Sequence, residues 1–84
     1  MTEHDKLKIL NIINNSTAEI KKLIKEENEA ADINTAMTIN NIKNGVYSIL
    51  MLIIKSDVEE KNCTIIWEGL KAVKIIEKKD TENE

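Results

Sequence analysis

One histidine and one cysteine are the residues most able to do chemistry in this chain of 84. A nucleophile or a general base needs a tuned partner beside it and a site for developing charge. His4 sits in the polar stretch Met1-Thr2-Glu3-His4-Asp5, where nothing in the pattern supplies it with a partner. Cys63 has Glu59 and Glu60 at helical spacing and no cation there. Carboxylates so placed disfavour a thiolate, so Cys63 reads as a packing residue. No Glu-x-x-His pair and no Cys/His cluster has the spacing of a zinc site. Neither glycine, Gly45 or Gly69, belongs to a phosphate loop or a dinucleotide fingerprint. The acidic group Glu26-Glu27-Asn28-Glu29 lacks the alternating ligands of a calcium loop. The expectation is a protein that is not an enzyme and holds no cofactor and no metal.

The twelve basic residues are all lysines, against fifteen acids, for a net charge of −3. With a pI of about 5.2, this balance weighs against nucleic-acid binding and against a polybasic membrane contact. The absence of arginine removes the bidentate fork that suits phosphate. Lys21, Lys22 and Lys25 cluster in one segment, and Lys71, Lys74, Lys78 and Lys79 in another. They read as solvated helix faces, with Lys22 placed to meet Glu26.

The remaining chemistry is recognition, carried by apolar side chains. The chain holds fifteen isoleucines, six leucines, Trp67, Tyr47 and no phenylalanine. Its N-terminus lacks the apolar core of a signal peptide, and the strongest apolar run, Ile49 to Ile54, is far short of the roughly twenty residues that span a bilayer. A single cysteine forms no internal disulfide, so the expected location is the cytoplasm, or the host cytosol for a phage-encoded chain.

No proline, two glycines and helical periodicity throughout point to an all-α fold. Segment one, over 5–29, carries Ile9, Ile13, Ile20 and Ile24 on one face, widened by Leu10 and Leu23. The poor helix formers Asn14-Asn15-Ser16-Thr17 favour a break near 14–16. Segment two, over 33–55, opens with Asp32 or Asn34 as N-cap. Its residues Ile39, Ile42, Val46, Ile49 and Ile53 form a heptad-like seam, with Asn44-Gly45 as a potential bend. Segment three, over 57–79, has the clearest start signal in the chain, the capping box Ser56-Asp57-Val58-Glu59. Val58, Ile65, Ile66, Gly69, Ala72, Val73 and Ile76 would form its apolar face, and a polar tail over 80–84 would fray. The expected architecture is a small bundle of three helices, or of four if segment one breaks. Segments two and three would form an antiparallel helical hairpin around Lys55-Ser56.

Such a bundle leaves apolar side chains over. On a wheel of about 100° per residue, Trp67 points roughly 140° from the centre of segment three's core stripe. Ile33, Tyr47, Met51 and Ile54 make a second stripe in segment two, and Leu52 points elsewhere again. The expected interaction surface is therefore Tyr47, Met51, Ile54, Cys63, Trp67 and Leu70, buried against a second copy or a protein partner.

The function this suggests is that of a small acidic inhibitor or adaptor that binds and occludes a protein target. Isoleucine-, lysine- and asparagine-rich usage without arginine suggests an AT-rich genome. By size and charge alone the chain is similar to anti-defence inhibitors of phages and mobile elements, anti-CRISPR proteins among them. No family motif carries over residue by residue. One alternative is a homo-oligomeric sponge for a cyclic nucleotide signal, with Tyr47 stacked on a base; the missing arginines disfavour such a ligand. The others are an immunity-type bundle and a structural dimer.

Overall fold

The computed structural model describes residues 1–78, and the expected frayed tail over 80–84, like Lys79, lies outside them. In chain order come helix α1 (Glu3–Asn28), helix α2 (Ile33–Ile53), a π-helical turn (Ile54–Glu59), strand β1 (Cys63–Glu68) and strand β2 (Lys71–Glu77).

Helix α1 starts two residues before the expected segment because Thr2 caps it. The Thr2 hydroxyl accepts from the Asp5 amide at 3.0 Å, and Glu3 and Asp5 place negative charge in the first turn. The helix then runs unbroken through 14–17. Thr17 donates its hydroxyl to the Ile13 carbonyl at 2.8 Å, which satisfies it inside the helix. Asn14 has a tertiary role that outweighs its poor propensity. Its side-chain amide donates to the Ala72 carbonyl and accepts from the Ala72 amide, both at 2.8 Å.

Asp32, rather than Asn34, caps α2, with one carboxylate oxygen accepting from the Thr35 amide at 2.8 Å and the other from the Thr35 hydroxyl at 3.0 Å. No bend forms at Asn44-Gly45. Glu27, one residue before the end of α1, pairs with Lys43, ten residues into α2, at 2.7 Å. The first turns of α2 therefore project past the end of α1. The expected sharp turn at Lys55-Ser56 is absent. The helix instead widens into the π turn, with the Glu60 amide donating to the Lys55 carbonyl at 2.8 Å. Ser56 is not a cap but an exposed residue within this turn, whose one buried side chain is Val58.

The third helix does not exist. Residues expected in it form an antiparallel hairpin, so the all-α bundle is corrected to two long helices and a two-stranded sheet. The physical reason is local. Thr64, Ile65, Ile66 and Trp67, then Val73, Ile75 and Ile76, are β-branched or aromatic and suit a pleated surface. Between the strands stands Gly69 at φ +60, the geometry that a two-residue loop asks of its first residue. Asn62, also at φ +60, precedes β1, and its carbonyl accepts from the Lys78 amide at 2.8 Å, closing the open end.

A bulge sets which residues face inward. Trp67 pairs with Ala72 and Ile66 with Lys74, so Val73 is an extra residue in β2. It shifts the alternation by one, and Ala72 and Ile75, three apart, both become buried. Together with Ile13, Leu50, Val58 and Cys63 they make the core, flanked by Ile9, Leu10, Ile20, Ile54 and Ile65. Helix α1 is central, packing against both α2 and β2.

Candidate functional site

One apolar groove runs where α1, α2 and the tip of the hairpin meet, with a volume of ≈ 300 Å³. Tyr47, Met51 and Ile54 follow steps of four and three along α2 into the π turn, which puts them on one face. Ile20 and Ile24 form the opposing wall on α1. Trp67 closes the end from β1, on the sheet face it shares with Cys63 and Ile65, and Leu70 reaches in from the turn.

The Asn14 clamp holds this end in place. It fastens the backbone of Ala72, the residue paired with Trp67, to the middle of α1. A strand tip tied by two hydrogen bonds has little freedom to swing away from the helix. Trp67 is 43% exposed and Leu70 63%, and Ile24, Tyr47 and Met51 are exposed too, so the groove is open to solvent along its length.

Five residues expected at an interaction surface, Tyr47, Met51, Ile54, Trp67 and Leu70, thus line one groove. Cys63, the sixth, lies elsewhere. It is 1% exposed, inside the core, with its thiol 3.5 Å from the Lys61 carbonyl. Sequence periodicity places Ile20 and Ile24 on the core stripe of segment one and marks Asn14 as a poor helix former, yet Ile20 and Ile24 line the groove and Asn14 clamps the hairpin. Nothing in the run Asn14-Asn15-Ser16-Thr17 sets Asn14 apart from its neighbours.

The rim carries charge. Lys21 borders the groove and, with Lys71, Glu68 and Leu70, lines a shallow adjoining hollow. One lysine from each sequence cluster therefore meets at the hairpin tip. The ion pairs among the described residues are Lys6–Glu3 and Lys43–Glu27. At the far end of α2, hydrogen bonds from Thr35 hold the Asp32 carboxyl below its usual range.

A larger hollow of ≈ 530 Å³ lies between the start of α1 and β2. Glu3, Lys6, Lys74 and Glu77 line it among apolar residues, so it has neither the continuous apolar wall nor the aromatic anchors of the groove. Among the described residues no three His, Cys, Asp or Glu side chains are grouped to hold a metal ion. No helix of these residues is long and apolar enough to cross a membrane. Comparison of the chain with protein-family models, curated proteins and solved structures gave no match.

Proposed function

We propose that this protein is a non-enzymatic binding module that acts by seating part of a target protein in the groove and so covering the target's own working surface. The observation that carries this reading is the convergence of Tyr47, Met51, Ile54, Trp67 and Leu70 on one open apolar groove. Aromatic side chains held by a rigid backbone are efficient anchors, since ordering them costs little further entropy. The rim refines the occupant. Lys21 and Lys71, set against Glu68, leave this edge net positive by one charge, which favours a segment with apolar side chains for the groove and a carboxylate at its edge. An inhibitor of the anti-defence kind, carried by a phage or mobile element, fits this mode of action.

Trp67 is the single tryptophan, so its fluorescence reports on the groove directly. A bound target moves its emission to the blue, as the indole leaves water. The decisive experiment compares capture of the target by the natural chain and by a Tyr47→Ala/Trp67→Ala variant that keeps its helicity. Loss of the two anchors is expected to weaken capture by roughly 30-fold or more, the factor that corresponds to about 2 kcal/mol at a central aromatic. Undiminished capture by the folded variant places the contact on another surface and refutes the reading.

A further inference from the structure

Helix α2 presents a second apolar face, separate from the groove. Ile39, Ile42, Val46, Ile49 and Ile53 recur at alternating steps of three and four, the a and d positions of a heptad seam. Such a seam is the pattern by which one helix packs along another. Helix α1 does not fill it. The stripe of α2 that meets α1 contains buried Leu50 and Lys43, whose ammonium is bonded to Glu27. At 100° per residue the seam is centred roughly 60° from Leu50 and roughly 140° from the midpoint of Tyr47 and Met51. Accordingly Ile42 is 52% exposed and Ile49 61%, while Ile39, Val46 and Ile53 are half-buried.

Charge and shape narrow what covers this seam. Lys43 is the one charged residue in the 21 of α2, and Glu27 already engages it. On the flank away from α1 stand Thr38, Gly45 and Leu52. These are the positions at which helices selective for a different partner carry complementary charges. Here they are neutral, so an acidic chain can bring this face against its own copy without repulsion. A Cβ built at Gly45 meets nothing within 4 Å, so this flank is open to an approaching helix.

We propose that this seam pairs with the same seam of a second copy of the chain. A helix of this length runs about 31 Å. With three of the five seam residues already half-buried, the pair covers at most on the order of 1,200 Å² in total, the lower edge of specific interfaces. Contacts of that size are commonly transient, so the dimer is expected to dissociate in the micromolar range or above. It leaves both grooves open.

Sedimentation equilibrium of the full chain, from low to several hundred micromolar, tests this. The natural chain is expected to pass from monomer to dimer, and Ile42→Glu/Ile49→Glu to stay monomeric with unchanged helicity. Ile42→Ala/Ile49→Ala guards against a folding artefact. Both side chains are exposed in the single chain and alanine gains helix propensity, so this variant folds at least as well, yet it is expected to weaken association by tenfold or more. A natural chain that stays monomeric throughout overturns the proposal. So does undiminished association of either variant, or loss of association in Leu70→Ser, which would move the contact to the groove.

Discussion

The two hydrogen bonds of Asn14 to Ala72 decide how the hairpin lies on α1. An apolar replacement leaves the Ala72 amide and carbonyl, both partly buried, without partners. Unmet backbone groups in such places cost about 1–3 kcal/mol each, less where water can reach them. Asn14→Leu is expected to lower the unfolding free energy by about 2–4 kcal/mol in a urea titration. The Ala72 amide should also exchange its hydrogen markedly faster. At the other end of the molecule, Asp32 makes a contribution that depends on pH. Its folded-state pKa is depressed by the bonds from Thr35, so its stabilisation is complete above the ordinary carboxylate pKa and is lost as pH falls through the lower folded value. The side chain is fully exposed, so the effect is modest. Asp32→Asn keeps a cap that does not titrate. The melting temperatures of the two chains should converge in acid and separate as the pH rises through the carboxylate range. Parallel curves through that range would remove the cap from the acid response.

At the scale of elements, the two glycines are expected to behave in opposite ways. Gly69 holds φ +60 at the hairpin turn, so Gly69→Ala should destabilise the chain by about 1–2 kcal/mol. Gly45 is helical with open space around it, so Gly45→Ala should stabilise the chain by up to about 1 kcal/mol when dilution keeps it monomeric. Chemical denaturation of both variants measures the contrast. The same positions explain what could be read from sequence. The apolar stripe of α1, a cap at Asp32 or Asn34 and the stripe Tyr47, Met51 and Ile54 on α2 are legible, because a helix of 3.6 residues per turn leaves a plain record. The hairpin is not. With Val73 bulged out, Ala72 and Ile75 are buried three residues apart, which imitates a helical period. Ser56-Asp57-Val58-Glu59 has the composition of a helix start, yet the chain arrives there already helical and widens into the π turn. The overlooked signal was two β-branched runs on either side of Gly69-Leu70. A helical wheel sets Trp67 and Leu70 off the core stripe, although a strand and a turn are what bring them to the groove.

For the whole molecule the balance of apolar surface governs behaviour. Among the described residues, seven side chains form the buried set while fifteen large apolar ones are exposed. Short chains have little interior to offset the entropy of folding, so an 84-residue monomer with this distribution is marginal. Anything that binds the folded form alone then raises its apparent stability by mass action. The groove and the α2 seam enter this balance in different ways. A target in the groove stabilises the chain only when the target is present. A pairing seam stabilises it with the logarithm of the chain's own concentration. The melting temperature of the purified protein should therefore climb by several degrees as its concentration rises from about 5 to 500 µM, because roughly 1–2 kcal/mol shifts a domain of this size by that much. Ile42→Glu/Ile49→Glu should flatten that dependence, and Trp67→Ala should leave its slope in place while lowering affinity for the target. A flat melting temperature in the natural chain would mean that the exposed isoleucines of α2 remain in water, and that the small core supports the fold unaided.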